Sequence, residues 1–303
     1  MPLTYTPRKR FSPQEYAQAI LAGDRIMLSR AITLIESKLP SDVALAEKVL
    51  EIILPHTGNS LRVGITGVPG VGKSTFIESF GKLITGMGKK LAVLTIDPSS
   101  QRSKGSILGD KTRMESLAND PMAYIRPSAS GATLGGVNNK TRETMLLCEA
   151  AGYEVILIET VGVGQSETTV AEIADFFLLL MLAGAGDELQ GIKKGIMEMA
   201  DALVITKADG DNVTMSQMAA REYANAMRLF PAQDSGWEPE VLTCSSVEQR
   251  GLDTVWDVIV RHHELMCQTG YFQAKRMEQN IAWMNEIIDY YLKYDFLHAP
   301  AVS

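Results

Sequence analysis

The spacing of the hydrophobic positions changes twice along the chain. Between residues 13 and 55 apolar side chains recur every three or four positions, which predicts amphipathic helices, with Ser41 as the N-cap of the last one. From residue 61 to 246 short apolar runs alternate with helical segments, and between 251 and 297 the helical spacing returns. The pattern predicts helices, then a mixed α/β region, then helices again.

Six runs in the middle region are predicted to be strands. They are almost continuously apolar, which is typical of parallel strands that are covered on both faces. The runs are LRVGIT (61–66), LAVLTID (91–97), VILIET (155–160), FFLLLML (176–182), ALVIT (202–206) and VLTCSS (241–246). Because helical segments separate these runs, we expect an α/β fold with a doubly wound, mainly parallel sheet. The expected regions are an N-terminal helical extension (1–57), a core (58–250) and a C-terminal helical region (251–303).

Composition narrows the class of protein without deciding its function. The net charge of −7 argues against a general nucleic-acid binder, and no apolar run approaches the roughly 18–20 residues that cross a bilayer. We therefore expect neither a nucleic-acid nor a membrane partner. The three cysteines (Cys148, Cys244 and Cys267) form no CxxC pair, which favours reduced thiols in the cytoplasm. A short basic cluster near the N-terminus leaves the mitochondrial matrix as an alternative.

The most specific chemical signal is the segment GVPGVGKST. It matches G-x-x-x-x-G-K-[ST] and stands between a predicted strand and a predicted helix, which is the context of a P-loop. Backbone N–H groups of such a loop surround the β-phosphate of a nucleotide, Lys73 would bridge the β- and γ-phosphates, and Ser74 would ligate Mg²⁺. The predicted phosphate contacts are Gly67, Val68, Pro69, Gly70, Val71, Gly72, Lys73, Ser74 and Thr75. The fold is therefore expected to be that of a P-loop NTPase.

Two further strand ends predict which base is bound. In TKAD, Asp209 can accept hydrogen bonds from N1–H and the 2-amino group of guanine, a donor pair that adenine lacks, and the Lys207 stem can cover the purine face. The segment CSS and the residue after it would supply a backbone contact to guanine O6. The residues expected there are Ser245, Ser246 and Val247. Together these features favour GTP and GDP over ATP.

Acidic residues at the expected edge of the sheet are candidate metal ligands. Carboxylates beside a γ-phosphate are unfavourable unless Mg²⁺ lies between them, so Asp97, Asp110 and Glu159 join Ser74 in the predicted magnesium site. The alternative for the two aspartates is a helix cap or a solvated acid. Mg²⁺ is accordingly an expected cofactor.

The segment ETVGVGQSE predicts a loop that senses the γ-phosphate. Glu159 stands where the D-x-x-G pattern has aspartate, and Gly162 would approach the γ-phosphate through its backbone N–H. Val163 occupies the position where small GTPases carry a glutamine that orients water, and Gln165 is the candidate substitute. The predicted catalytic residues are thus Lys73, Glu159, Gly162 and Gln165. With an apolar residue at the key position, we expect slow intrinsic hydrolysis that a partner completes or regulates.

A second glycine-rich segment, GAGDELQGIKKG, directly follows the FFLLLML strand. Its glycines permit large backbone changes, and its two acids and two lysines can pair in more than one way. The residues predicted to face a partner or to switch are Asp187, Glu188, Gln190, Lys193 and Lys194. A solvated turn is the alternative interpretation.

Taken together, these motifs resemble the methylmalonyl-CoA mutase-associated GTPases, which are also called arginine/ornithine transport kinases. DPSS, GSILGDKTRM, RPSASGATLGG, LLCEAAGY and GDELQGIKKGIMEMAD carry the resemblance with the motifs above, over roughly residues 15 to 295. The resemblance implies a GTPase that binds an adenosylcobalamin-dependent acyl-CoA mutase, in the first place methylmalonyl-CoA mutase. It would gate cofactor delivery and protect or reactivate the enzyme. Adenosylcobalamin would be held by the mutase and not by this chain.

The resemblance also implies a homodimer with a C-terminal dimerisation arm, and an additional switch at the second glycine-rich segment. Relatives usually continue for a few helical turns beyond the point where this sequence stops, so a shortened arm is expected. Two other functions stay open: a kinase in arginine/ornithine transport, and a GTPase that inserts a metal. Metal-inserting GTPases are expected to carry a CxxC pair or a His-rich tail, and this sequence has neither. Several predicted nucleotide-sensing loops favour a switch over a kinase.

Overall fold

The computed structural model divides the chain into two compact units. Met1–Ser60 and Arg142–Tyr153 form the first unit, and Leu61–Thr141 and Glu154–Ser303 form the second. The structure describes residues 10–96, 114–127, 134–160, 166–184, 194–231 and 233–297. The division into three regions that the sequence suggested stays a prediction.

The first unit contains three helices near the N-terminus, which are α1 (Pro13–Leu21), α2 (Arg25–Glu36) and α3 (Pro40–Ile53). Ser12 and Glu15 form a capping box at the start of α1, since the Ser12 hydroxyl accepts from the Glu15 N–H and the Glu15 carboxylate accepts from the Ser12 N–H. The buried faces of the three helices pack on one another through Ile20, Leu28, Ile32, Ile35, Val49 and Ile53. The helical spacing predicted for this region is thus confirmed.

The prediction that Ser41 caps the third helix is wrong. Helix α3 begins at Pro40, with Leu39 in the N-cap position, two residues before the predicted cap. Proline at the first helical position fixes a φ angle that suits the helix and needs no N–H partner, so it sets the start. The Ser41 hydroxyl instead accepts a hydrogen bond from Arg10 Nη1 at 3.0 Å.

The second unit is built on a parallel sheet of seven strands. In the order β3-β2-β4-β1-β5-β6-β7, every neighbouring pair is parallel. The strands are β1 (Leu61–Gly67), β2 (Leu91–Ile96), β3 (Ala123–Pro127), β4 (Val155–Thr160), β5 (Phe176–Met181), β6 (Ala202–Ile205) and β7 (Glu240–Thr243). The doubly wound α/β class and all six predicted strands are confirmed.

Strand β3 was not predicted from the sequence. Its five residues include Arg126 and Pro127, which interrupt the apolar run. An edge strand tolerates such residues because only one of its sides is paired.

The remaining helices follow the strands along the chain. They are α4 (Lys73–Gly86), α5 (Glu115–Ala118), α6 (Leu134–Ala150), α7 (Ser166–Ile173), α8 (Lys194–Glu198), α9 (Val213–Met227), α10 (Leu252–Thr269) and α11 (Tyr271–Leu297). The core between α4, α10 and the sheet is aromatic, with Phe76 and Phe80 stacked at 5.1 Å and Trp256 beside them at 6.2 Å from Phe80. Across the part of the chain that the structure describes, no helix is long and apolar enough to span a membrane.

All seven strands begin at one edge of the sheet, the amino edge, and end at the other, the carboxyl edge. At the amino edge, Asp175 accepts a backbone hydrogen bond from Arg62 at 2.8 Å and two from the Arg276 guanidinium at 2.6 Å each. Asp201 accepts from the Phe177 N–H at 2.8 Å in the same way. These carboxylates hold strand starts together and fasten α11 to the sheet. Open α/β sheets bind their ligands outside the carboxyl ends of the strands, so the opposite edge is where a ligand site is expected.

Candidate nucleotide-binding site

The loop between β1 and α4 has the geometry of an anion site. Gly67 ends β1 so close to β5 that an added Cβ would lie 2.5 Å from the Leu180 carbonyl oxygen. Gly72, the N-cap of α4, has a left-handed φ of 90°, which a side chain would strain. Among the described residues no side chain caps the first turn of α4, so its N–H groups are available to a phosphate.

Lys73 lies across this loop. Its Nζ donates to the carbonyl oxygen of Gly67 at 2.8 Å and to that of Val68 at 3.4 Å. Burial lowers the pKa of Lys73, while the carboxylates of Glu159 and Glu167 act in the opposite direction. A phosphate placed beside the ammonium would oppose the effect of burial, because it favours the charged form.

Glu159 reaches the carboxyl edge on β4, next to β1. It is buried, and its Cα is in register with Ile65 of β1 and Thr95 of β2. The hydroxyl groups of Thr66 and Thr160, each one residue further along, join the two strands at 2.8 Å. The Glu159 carboxylate favours the charged form of Lys73 and so opposes the lowering of its pKa by burial.

The TKAD segment is bonded directly to the phosphate loop. Lys207 Nζ donates to the Gly70 carbonyl oxygen at 2.9 Å, and Thr206 Oγ1 donates to that of Val71 at 2.7 Å. Lys207 itself has a positive φ of 55°, which is uncommon for a side-chain-bearing residue. Residues that are 135 and 137 positions apart in the chain thus form one surface.

Asp209 is joined to the segment that follows β7. Ser245 Oγ donates to Asp209 Oδ2 at 2.6 Å, and the Ala208 N–H donates to the Cys244 carbonyl oxygen at 3.0 Å. Burial, with a smaller effect from Asp209, raises the pKa of Cys244 to about 12, so this thiol stays protonated. The carbonyl oxygen of Ser246 accepts from Ser79 of α4 at 2.9 Å. The TKAD segment and the segment after β7, together called the base segments, are therefore bonded to each other, and the second is also bonded to α4.

Val247 differs from the other predicted base contacts, since its side chain is 80% exposed. Ser74 is half-buried at the start of α4, and Thr75 and Pro69 are exposed. These positions leave part of the loop, and of the segment after β7, open to solvent.

Several predicted site residues lie outside the described residues. They are Asp97, Asp110, Gly162, Gln165, Asp187, Glu188, Gln190 and Lys193. For Lys194 the structure gives the backbone, at the start of α8. Within the described ranges no three His, Cys, Asp or Glu side chains are grouped to hold a metal ion. With two of the four expected ligands outside those ranges, the magnesium site stays a prediction.

Two contacts of this site were not predicted. Thr206 reaches the phosphate loop, and Arg250 bonds to the TKAD segment through the Ala208 carbonyl oxygen. The sequence offers no signal for Arg250 except the glycine that follows it, which is common after a tight turn.

Comparisons with known proteins identify the family of this chain. Residues 28–301 match the family described as Methylmalonyl Co-A mutase-associated GTPase MeaB. A Caulobacter vibrioides protein named putative GTPase is 52% identical over 284 residues, which cover 94% of this chain and 87% of that protein. The mouse protein named methylmalonic aciduria type A homolog, mitochondrial, is 44% identical over 304 residues, 97% of this chain and 73% of that protein.

A solved structure is also similar to this chain over nearly its whole length. The crystal structure titled LAO/AO transport system kinase has a TM-score of 0.81 and 39% sequence identity, and covers 98% of this chain and 89% of that chain. The resemblance inferred from the motifs is confirmed. Because the family match includes the phosphate loop, both base segments and nearly all of the helices, the chain belongs to the methylmalonyl-CoA mutase-associated GTPases.

Proposed function

We propose that this GTPase is a Mg²⁺-dependent switch whose output is binding to an adenosylcobalamin-dependent acyl-CoA mutase, with methylmalonyl-CoA mutase as the first candidate. In this role it gates delivery of the cofactor and protects or reactivates the mutase. The nucleotide half of the proposal is carried by the direct bond from Lys207 to Gly70, which joins base and phosphate segments. The partner half is supported by membership of a family associated with that mutase.

The residues at the carboxyl edge fit a guanine nucleotide. The uncapped first turn of α4 and Lys73 would hold the phosphates, and Asp209 with Lys207 would hold the base. Backbone groups of the Ser245–Val247 segment would approach guanine O6. Hydroxyl and carboxylate oxygens from Ser74, Asp97, Asp110 and Glu159 are the ligand types that Mg²⁺ prefers. When bound, Mg²⁺ would neutralise phosphate charge.

Slow intrinsic hydrolysis is part of the proposal. Glu159 and the backbone of Gly162 would respond to the γ-phosphate, while Val163 offers no group to orient water. Gln165 or a residue of the partner would do so. The mutase would thereby control how long the GTP-bound form persists.

We further propose a homodimer formed through α11. One stripe of this helix is apolar and 47–64% exposed, although the opposite face is fastened to the sheet through Arg276 and Gln279. The stripe consists of Met277, Ile281, Met284, Ile288 and Leu292. Its spacing of three and four residues suits a helix from a second copy. The double variant Ile281→Lys/Ile288→Lys should run as a monomer in light scattering, and an unchanged mass would contradict the dimer.

Exchange of base preference tests the nucleotide site. In the variant Asp209→Asn, the new side-chain amide would donate to the 2-oxo group of xanthine, and it could no longer accept both hydrogen bonds from guanine. We expect GTP binding to weaken by at least about 100-fold and XTP binding to strengthen. Asp211→Asn, at an exposed acid two residues further on, is the matched control and should leave both affinities unchanged. Equal binding of GTP and ATP by the wild type would overturn the assignment.

Stimulated hydrolysis tests the partner. Phosphate release from GTP should rise when adenosylcobalamin-loaded methylmalonyl-CoA mutase is added, and arginine alone should have no effect. Lys193→Ala and Lys194→Ala should keep GTP affinity and lose part of the stimulation. Lys48→Ala, at an exposed lysine of α3, is the control. If isobutyryl-CoA mutase stimulates and methylmalonyl-CoA mutase does not, the named partner is wrong. If no mutase stimulates, the partner half fails.

A further inference from the structure

Both base segments contain backbone that needs external support. In the described part of the chain, the non-glycine residues with positive φ are Lys207, at 55°, and Gln249, at 51°. One belongs to the TKAD segment and the other to the turn after β7. Such conformations persist only where surrounding contacts hold them in place. The two turns must therefore be held in place by contacts with their surroundings and with each other.

Arg250 contacts both turns. Its backbone exchanges two hydrogen bonds with Ser245, the Arg250 N–H to the Ser245 oxygen at 3.0 Å and the Ser245 N–H to the Arg250 oxygen at 2.9 Å. Its guanidinium Nη2 donates to the Ala208 carbonyl oxygen, and Nη1 pairs with Glu248 at 3.0 Å. Arg250 thus adds to the bonds from Ser245 to Asp209 and from Ala208 to Cys244 that tie the second turn to the first.

The position of Arg250 is itself fixed by its neighbour. Gly251 has a φ of 77°, and a Cβ added there would lie 2.5 Å from the Thr243 carbonyl oxygen at the end of β7. The chain therefore returns to the strand at a distance that only glycine allows. This close passage sets where the Arg250 side chain starts.

These contacts converge on Asp209. Ser245, which donates to the Asp209 carboxylate at 2.6 Å, is paired through its backbone with Arg250. Ala208, which precedes Asp209 in the chain, accepts from the Arg250 guanidinium. The Arg250 side chain therefore restrains the backbone beside the carboxylate, while the Arg250 backbone pairs with the residue that carries the hydroxyl donor.

We propose that Arg250 is a positioning residue for base discrimination, acting by fixing the plane of the Asp209 carboxylate. This rests on the proposed guanine site. A carboxylate receives both N1–H and the 2-amino group only when it lies in the plane of the base, and a rotated carboxylate keeps one of the two bonds. Loss of the restraint therefore penalises guanine more than hypoxanthine, which has no 2-amino group.

The exposure of Arg250 makes this testable. Its side chain is 55% exposed, so truncation removes two contacts without opening a cavity in the core. For Arg250→Ala we expect GTP binding to weaken about tenfold and ITP binding about twofold, with the weak ATP binding unchanged. The ratio of GTP to ITP affinity should therefore fall about fivefold. Arg250→Lys keeps a cationic donor that can reach the Ala208 oxygen and should restore part of the ratio.

Arg261→Ala is the matched control. Arg261 has a 56% exposed side chain that pairs with Glu240 at 2.9 Å, near the start of β7 and away from the base segments. Its removal should change neither the affinity ratio nor the melting temperature. Isothermal titration with GTP, ITP and ATP, together with thermal unfolding of each variant, provides the full comparison.

Each outcome decides one point. If the wild type binds ATP as well as GTP, the proposed base site fails and the role of Arg250 fails with it. If the wild type prefers GTP but Arg250→Ala keeps the GTP to ITP ratio, only the positioning role is overturned. A uniform loss for all three nucleotides with a lower melting temperature would show a purely structural role, and would also overturn it.

Discussion

The two edges of the sheet use charged residues in different ways. At the amino edge, Asp175 and Asp201 are buried and accept hydrogen bonds from backbone N–H groups of neighbouring strands at 2.8 Å. At the carboxyl edge, Lys73 and Lys207 donate to neutral carbonyl oxygens of the phosphate loop at 2.8 and 2.9 Å. The first arrangement satisfies a buried charge within the protein, whereas the second leaves a cation facing neutral partners.

The strength of these bonds explains the difference. The bidentate pair between Arg276 and Asp175 has side chains only 12% and 4% exposed, and hydrogen bonds between two charged groups are the strong ones. A bond from an ammonium to a carbonyl oxygen is more readily exchanged for one to a phosphate. The amino edge therefore stabilises the fold, and the carboxyl edge is suited to a ligand.

The largest effect is expected at the carboxyl edge. In Lys73→Ala the transition-state charge on the γ-phosphate loses its cation, so single-turnover GTP hydrolysis should slow about 1,000-fold, or about 4 kcal/mol. The melting temperature should stay the same, because the hydrogen bonds that Lys73 donates go to carbonyl oxygens of its own loop. Lys89→Ala removes an exposed lysine that pairs loosely with Glu154 at 3.5 Å and serves as the control. Normal hydrolysis by Lys73→Ala would contradict the proposed role.

The next effect is expected at the amino edge, and in stability. Arg276→Ala leaves the buried Asp175 carboxylate without its bidentate partner, so the free energy of unfolding should fall by about 3 kcal/mol. Urea denaturation measures this change, with Arg261→Ala, which loses an exposed pair, as the control. The preference for GTP over ATP should be kept by the folded variant. A loss of base preference without a loss of stability would reverse the roles assigned to the two edges.

The smallest effect concerns the pH dependence of stability at the amino edge. Burial lowers the pKa of His262 to about 3 and raises the pKa of Asp201 to about 6. Between pH 7 and pH 5 the unfolded chain protonates at position 262 while the folded chain does not, so His262 costs stability as the pH falls, by about 2 kcal/mol. Asp201 acts in the opposite direction, because its folded-state carboxylate takes up a proton near pH 6, before the unfolded one does.

The variant His262→Phe removes the contribution of the imidazole, whose Nε2 lies 3.8 Å from Asp201 Oδ1. The imidazole stands edge-on to Phe176 and Trp237 at 5.0 Å each, so a phenyl ring can keep this packing. The free energy of unfolding of the variant minus that of the wild type should be about 2 kcal/mol larger at pH 5 than at pH 7. Urea midpoints at both pH values give this quantity, and the exposed His56→Gln serves as the control. Identical pH slopes in wild type and variant would mean that His262 titrates normally.

The sequence predicted the sheet well because the strand signals are local. Long apolar runs such as FFLLLML can only be covered on both faces, and the structure confirms β5 there, from Phe176 to Met181. The unpredicted strand β3 and the wrong start of helix α3 also have local causes. Arg126 and Pro127 hide an edge strand, and Pro40 overrides Ser41 as the start of a helix. The positions of Lys73, Asp209 and Ser245 at one edge follow from parallel strands, although their roles stay predictions.

By itself, the sequence determined the α/β class, the phosphate loop and the family, because each of these depends on residue types at short, fixed spacing. Only the tertiary structure decided which charged residues serve the scaffold and which are left for a ligand. Asp175 meets Arg276 across 101 positions, and Arg250 meets Ala208 across 42. Contacts over such separations depend on how strands and helices are arranged in space, and no local pattern encodes which partner a charge will find.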